Sequence, residues 1–124
     1  MSAKFNHTII AAKQPLISAA FYRDLLEAED APSWGPFANL LLTDGVLLQF
    51  ANPGVEFTPV HLAFLVDDDH FARAYERICE QNIEHWADPQ QTRPGETNDE
   101  HGGKGVYLLD PVGHYLELLT RPYL

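Results

Sequence analysis

The alternation of apolar and polar positions predicts a strand, a helix and two further strands in the first half of the chain. These elements lie at 5–12, 14–29, 37–43 and 46–52, and one more irregular strand is expected within 30–36. Leu16, Ile17 and Leu25 recur at the spacing of a helix with one apolar face. The dipeptide Asp44–Gly45, between two apolar runs, predicts a hairpin turn. We therefore expect a βαβββ unit.

The second half repeats this order of elements. Strands are predicted at 59–66, 84–87, 104–110 and 114–120, and a helix is predicted at 67–82. His7 and His61 occupy the same place in the two first strands, and Gln49 and Glu117 match in the two last strands. Gln49 and Glu117 are further apart in the sequence than His7 and His61 are. The polar segment 88–103 has room for the difference, which predicts a loop inserted into a duplicated unit.

Each half also places one His and one Glu or Gln on strand faces that point away from its helix. Because side chains alternate along a strand, His61 shares a face with Ala63, and Glu117 shares one with Tyr115. A carboxylate in an apolar run is costly to bury unless a cation, a donor or water pairs with it. Two imidazoles and a carboxylate can bind Fe(II), Mn(II), Zn(II) or Ni(II) and leave coordination positions open. A single strand histidine is more often structural, so this hypothesis depends on the whole set.

The amino-acid composition limits the kinds of molecule that the protein is expected to bind. Eight Lys and Arg against 18 Asp and Glu, a net charge of −10, argue against nucleic acid, because phosphate binding requires clustered basic residues. The only cysteine, Cys79, can form no disulfide within the chain. No apolar run reaches the length of a signal peptide or a membrane span. We expect a cytoplasmic protein that binds a small-molecule substrate or drug, with no nucleic-acid and no membrane partner.

Residues outside the ligand set are candidates for contact with a substrate. His101, in the inserted loop, could act as an acid–base group, since histidine titrates near neutral pH; the alternative is an exposed loop histidine. Cys79 is expected to face the core beside Ile78. Several aromatic residues could line an apolar pocket, or could simply pack in the core. These are Trp34, Phe37, Trp86, Tyr107 and Tyr115.

The segment GVYLLDPVGHYLELL (105–119) resembles the closing hairpin of the vicinal-oxygen-chelate superfamily. The segments NHTII (6–10), AAFYRDLLEAE (19–29) and VHLAFLV (60–66) resemble the same superfamily, so the similarity covers essentially the whole chain. Its members include glyoxalase I, fosfomycin-resistance enzymes, extradiol dioxygenases and bleomycin-resistance proteins. The resemblance implies an α+β fold, the glyoxalase/bleomycin resistance/dioxygenase fold, in which two pseudo-symmetric βαβββ modules curl their sheets around a cavity.

The resemblance also implies the domain limits. One domain would span 1–124, with a first module at about 4–53 and a second at about 58–122 that contains the inserted loop 88–103. A homodimer is implied as well. Its metal site would be completed either within one chain or across two.

Carried over to this chain, the metal ligands of the family are His7, His61 and Glu117, and Glu117 would also be the catalytic base. Gln49 stands where bacterial-type glyoxalase I supplies a fourth, carboxylate ligand, so it is a candidate fourth ligand or substrate contact. An amide cannot accept a proton as a carboxylate does, and this departure counts against a glyoxalase. Ile9 stands where fosfomycin-resistance enzymes need a hydroxyl.

These residues imply a divalent-metal-dependent enzyme of the glyoxalase or dioxygenase type. Its single metal ion per subunit would act as a Lewis acid or as an O₂-activating centre on a substrate with two neighbouring oxygens. The alternative is a metal-free protein that sequesters a drug or metabolite, as bleomycin-resistance proteins do.

Overall fold

The structure, a computed structural model, describes residues Met1–Leu124 and divides into two compact units, Met1–Thr58 and Pro59–Leu124. Each unit consists of one helix and one four-stranded sheet, in the order βαβββ. The predicted α+β fold of two repeated modules is therefore confirmed. Neither helix combines the length and the apolar character that crossing a membrane requires.

In the first unit, the first and the last strand are parallel neighbours in the sheet, and the helix follows the first strand. The elements are β1 (His7–Ala11), α1 (Pro15–Leu26), β2 (Glu29–Asp30), β3 (Ala38–Leu41) and β4 (Leu47–Ala51). The sheet order is β1-β4-β3-β2, with β1 parallel to β4 and the other neighbours antiparallel. Gly45, in the turn between β3 and β4, has a φ of 90°, a conformation that residues with a side chain rarely adopt.

Helix α1 buries a different stripe from the one that the apolar spacing indicates. Leu16 and Ile17 are 78% and 56% exposed, whereas Tyr22 and Leu25 are buried. The ring of Tyr22 lies 4.7 Å from the ring of Phe50 on β4, centroid to centroid. The prediction that Leu16 and Ile17 lie on the buried face of the helix is therefore wrong. The rotation of the helix is set by the aromatic ring that its sheet accommodates, which local spacing does not reveal.

The second unit has the same topology. Its elements are β5 (His61–Leu65), α2 (Asp68–Glu80), β6 (His85–Trp86), β7 (Gly105–Leu109) and β8 (Tyr115–Leu119), in the sheet order β5-β8-β7-β6. The side chain of Asp67 caps α2 by accepting a hydrogen bond of 2.7 Å from the backbone N–H of His70. Cys79 is exposed, so its expected place in the core is wrong. It follows the buried Ile78 by one residue, which is a rotation of about 100° around the helix.

The first and last strands pair in the same register in both sheets. Strand β1 places Ile9 opposite Gln49, and strand β5 places Ala63 opposite Glu117. Gln49 and Glu117 therefore occupy equivalent positions in the two copies of the unit, as the alignment of the two halves of the sequence predicts. The inserted residues lie between β6 and β7.

The inserted loop is organised by two side chains. The Asp88 carboxylate accepts hydrogen bonds from the backbone N–H groups of Thr92 and Arg93 and from the Thr92 hydroxyl. The Asn98 amide donates to the Ala87 carbonyl at 2.7 Å, and Asn98 pairs with Gly105 through two backbone hydrogen bonds of 2.9 Å. The loop is thus tied to the strands at both of its ends.

Replacing Asp88 with asparagine should loosen this loop in a pH-dependent way. Hydrogen bonds from Thr92, above all from its hydroxyl, lower the pKa of Asp88. Because that pKa is lowered in the folded protein, the ordering effect is present above the ordinary aspartate pKa of about 3.9 and is lost as the pH falls further. We expect the Thr92 and Arg93 amides of Asp88→Asn to exchange hydrogen faster than wild type at pH 7, and the difference to vanish in strong acid.

Hydrogen exchange followed by NMR or mass spectrometry measures this effect. Asp99→Asn, which changes an exposed carboxylate in the same loop, is the matched control and should leave exchange unchanged. Equal exchange in Asp88→Asn and wild type at pH 7 would show that the carboxylate does not order the loop.

Candidate metal centre and cavity

One face of the second sheet carries the polar and aromatic side chains of the candidate site. Strand pairing places His61 opposite Tyr115, and Glu117 opposite Tyr107. Residues that are directly opposite in a sheet project from the same face, so these four side chains share one surface. The alternation of strand side chains therefore produces the grouping that the sequence predicts for His61 and Glu117.

His61 lies between two hydrogen-bond acceptors. Its Nε2 atom is 3.2 Å from Oε1 of Glu117, and its Nδ1 atom is 3.0 Å from the carbonyl oxygen of Tyr115. A carbonyl can only accept a hydrogen bond, so Nδ1 carries a proton. A neutral imidazole has one N–H, which leaves the lone pair of Nε2 facing a carboxylate. The arrangement is satisfied when a positive charge, a proton or a metal ion, is present at Nε2.

Two features of His61 and Glu117 match those of residues that bind a divalent metal ion. Histidines that bind metals usually donate their other ring N–H to a carbonyl or carboxylate, as Nδ1 of His61 does. Nitrogen and oxygen ligands at about 2.0–2.2 Å from one ion are roughly 3.0–3.5 Å apart from each other. The observed 3.2 Å between Nε2 of His61 and Oε1 of Glu117 is within that interval.

Glu117 has a second partner that the sequence does not predict. The Tyr123 hydroxyl donates a hydrogen bond of 2.6 Å to Oε2 of Glu117 and lies 3.5 Å from the Tyr107 hydroxyl. The ring of His101 stacks on that of Tyr123, with centroids 3.9 Å apart. Tyr123 belongs to the segment after β8, where no strand or helix periodicity marks a residue as functional. Its aromatic character is the only signal that the sequence offers.

Both phenols remain protonated at neutral pH. Burial is the main cause of a strongly raised pKa for Tyr107, and the hydrogen bond to Glu117 is the main cause of a raised pKa for Tyr123. The two hydroxyls therefore act as hydrogen-bond donors beside the carboxylate.

A cavity of about 420 Å³ opens on this face of the sheet. His61, Gln91 and Glu117 contribute polar groups to its wall, and aromatic rings form much of the remainder. These rings belong to Trp86, Tyr107, Tyr115 and Tyr123. A site with a few convergent polar groups among aromatic walls suits a small, largely apolar molecule.

The other predicted site residues belong to the first unit. His7 is exposed, and its Nδ1 lies 2.7 Å from Oδ1 of Asn6. Gln49 is 5% exposed, on the sheet face that also carries His7. Trp34 and Phe37 precede β3 and do not line the cavity of the second unit.

The structure brings together two of the three predicted ligands. No group of three or more His, Cys, Asp or Glu side chains in the chain is close enough to hold a metal ion. His61 and Glu117 alone provide two ligand atoms, so a complete protein site of the predicted type needs one more ligand.

Comparisons with known proteins add three findings, although no family model matches the chain. The chain is similar to the solved structure of oxidase ChaP-H2, with 46% identity, a TM-score of 0.94, and 99% of this chain and 97% of that chain covered. Metallothiol transferase FosB of Staphylococcus saprophyticus is 24% identical over 97% of this chain and 78% of its own length. The fosfomycin resistance protein FosX of Listeria monocytogenes shares the fold, with 18% identity, a TM-score of 0.72 and full coverage of both chains.

An aromatic ligand in the cavity should change the fluorescence of Trp86. The chain has two tryptophans, so a Trp34→Phe variant reports on Trp86 alone. We expect 4-nitrophenol, which absorbs where tryptophan emits, to quench this emission saturably, because the cavity would hold it within a few ångströms of the indole. A fluorescence titration measures the effect, with free N-acetyltryptophanamide as the control for trivial absorption. A purely linear response, equal to that of the free indole, would contradict a binding cavity at Trp86.

Proposed function

The chain belongs to the vicinal-oxygen-chelate superfamily, and from this premise we propose that it is a divalent-metal-dependent oxidase of small aromatic molecules with two neighbouring oxygens. The observation that carries the proposal is His61, held between two acceptors so that Nε2 needs a positive charge beside the buried Glu117. His61 and Glu117 both line a cavity whose walls also contain aromatic rings. A metal ion supplies the positive charge, and a chelating aromatic substrate fits the cavity.

The proposed ligands are His7, His61 and Glu117, and the ion is Fe, Mn, Zn or Ni. In both histidines Nδ1 faces an oxygen that can only accept, the carbonyl of Tyr115 for His61 and the amide oxygen of Asn6 for His7. Nε2 is therefore the nitrogen with the lone pair in each neutral ring. When bound, the ion would supply Lewis acidity or O₂ activation to a substrate that chelates it.

Two observations favour oxidation, with O₂ as the oxidant, over a glyoxalase reaction. The chain resembles oxidase ChaP-H2 at 46% identity over almost the full length of both chains. Gln49, the structural equivalent of Glu117, carries an amide and cannot take a proton from substrate carbon. A glyoxalase-type reaction, which removes a proton from carbon, would therefore lack the second carboxylate that this register position could supply.

The residues of the chain have distinct roles in this proposal. Glu117 is the carboxylate that receives the proton of a substrate hydroxyl. Tyr107, whose raised pKa keeps its hydroxyl protonated, donates a hydrogen bond to the resulting oxygen anion. Trp86 and Tyr115 provide aromatic walls that orient the substrate ring and reduce access of water.

We propose further that the protein is a homodimer in which His7 of one chain completes the site of the other. The support is that His61 and Glu117 meet within the second unit, while no three-ligand group is present in the chain. In a dimer with twofold symmetry each chain gives and receives the same ligand, so two equivalent sites result.

Metal content and O₂ consumption test the function together. Protein purified without chelators is expected to hold about one divalent ion per subunit and to consume O₂ with 2,3-dihydroxynaphthalene, an aromatic diol with adjacent oxygens. His61→Ala should lower metal affinity by more than the 10–100-fold that losing a supporting hydrogen bond of a ligand costs. Elemental analysis and an oxygen electrode provide the measurements, and His70→Ala, outside the cavity, is the matched histidine control.

Absence of stoichiometric metal, with no binding of added Fe(II), Mn(II), Zn(II) or Ni(II), would contradict the enzyme and is the result expected of a metal-free binding protein. Full metal occupancy in His61→Ala would contradict the ligand assignment alone. Metal binding without O₂ consumption on any catechol-type substrate would contradict the oxidase.

A mixed dimer tests whether the site is completed across chains. In a dimer of one His7→Ala chain and one His61→Ala chain, the first chain supplies His61 and Glu117 while the second supplies His7. Completion across chains then leaves one intact site, whereas completion within a chain leaves none. We expect the mixed dimer to bind about half of the wild-type metal, because one of the two symmetric sites is intact.

Co-expression with two affinity tags and tandem purification yield the mixed dimer for metal analysis. The two variant homodimers are the controls and should bind none. A mixed dimer without metal, or a wild-type protein that is monomeric by light scattering, would overturn completion across chains.

A further inference from the structure

We propose that Tyr123 is a positioning residue for the Glu117 carboxylate and that the ring of His101 holds it in place. The inference rests on the proposed function, in which Glu117 binds the metal ion. It assigns a role to the segment that follows β8, and it changes the role of His101 from acid–base group to support.

The two oxygens of Glu117 have different partners. Oε1 faces Nε2 of His61, and Oε2 accepts a hydrogen bond of 2.6 Å from the Tyr123 hydroxyl. Hydrogen bonds from a hydroxyl to a carboxylate at this distance are strong because the acceptor is charged. Tyr123 thereby fixes the rotation of the carboxylate and leaves Oε1 as the oxygen that faces the imidazole.

The position of Tyr123 depends on contacts between two short segments, the stem (101–104) and the tail (120–123). The backbone N–H of Thr120 donates to the Lys104 carbonyl at 3.0 Å, and the Thr120 hydroxyl accepts from the backbone N–H of Lys104 at 2.8 Å. Gly103 lies so close to the tail that a Cβ atom there would overlap the Thr120 hydroxyl. Stem and tail are therefore packed together along their length.

His101 completes this packing at the ring of Tyr123. The two rings are 3.9 Å apart between centroids, with their planes inclined by 24°. Stacking fixes the plane of the phenol, and thus the direction in which its hydroxyl points. The hydroxyl then reaches Oε2 of Glu117, so the influence of His101 on the site passes through Tyr123.

The Tyr123→Phe variant removes the hydroxyl and keeps the stacked ring. We expect its dissociation constant for Zn(II) or Co(II) to rise about 10–100-fold, the usual cost of losing a hydrogen bond that orients a ligand. The absorption spectrum of the Co(II) protein should also change, because the carboxylate is free to rotate and alters the coordination geometry. Tyr75→Phe, which removes a phenol hydroxyl that contacts His85 and not the Glu117 carboxylate, should keep the wild-type constant and spectrum.

His101 variants separate support from acid–base chemistry. His101→Phe keeps an aromatic ring against Tyr123 and should retain metal affinity, while His101→Ala should weaken it by a smaller factor than Tyr123→Phe. In the Tyr123→Phe background, His101→Ala should add no further loss, because its effect passes through the hydroxyl already removed.

Chelator competition and Co(II) absorption provide these measurements, and thermal melting of the metal-free variants checks that each one folds. Wild-type affinity and spectrum in a folded Tyr123→Phe would overturn the inference and leave the proposed function intact. Additive losses in the double variant would overturn the support by His101. Failure of the wild-type protein to bind any of these metals would overturn the proposed function, and this inference with it.

Discussion

The second unit is organised around one electrostatic constraint, a carboxylate buried in the middle of a sheet. Glu117 is 2% exposed and is flanked along β8 by the buried Leu116 and Leu118. Taking a charge out of water costs on the order of several kcal/mol unless partners compensate it. The partners are His61 on the neighbouring strand and Tyr123 beyond the end of the sheet, one for each oxygen, and His61 compensates the charge when a proton or a metal ion is present at Nε2. A metal ion between imidazole and carboxylate satisfies the same constraint with a larger charge.

The first copy of the unit shows the same backbone without that constraint. Gln49 occupies the equivalent register position and is 5% exposed, but its amide carries no charge to compensate. The first copy therefore buries a neutral amide, which costs less to remove from water than a charge does, while the second copy needs a positive charge and a hydrogen-bond donor beside its carboxylate. The chemistry that separates the two copies follows from this single difference.

Strand periodicity, the hairpin turn and the matching His and Glu or Gln positions make the fold predictable from the sequence. The meeting of His61 and Glu117 requires more, namely that β5 pairs in parallel with β8, and only the ligand set implied by the family resemblance points to it. The rotation of α1 and the exposure of Cys79 depend on which side chains the sheet accommodates. Tyr123 was not predicted, because a residue in a segment without periodicity acquires its role only through tertiary contacts.

The inserted loop and the buried charge occur in the same copy, and the structure gives a physical connection between them. The stem of the loop packs against the tail through the Thr120–Lys104 hydrogen bonds, and His101 from that stem stacks on Tyr123. Ordering a phenol in a segment without regular secondary structure costs conformational entropy, and these contacts offset that cost. The copy that carries a carboxylate thus also carries the extra residues that orient a donor toward it. In the neutral copy, where no charge needs orienting, β2 and β3 are joined by a short connection. The two copies of the unit therefore differ in two connected features. The second copy has a charge on β8, and it has the inserted segment that holds Tyr123, the hydrogen-bond donor to that charge.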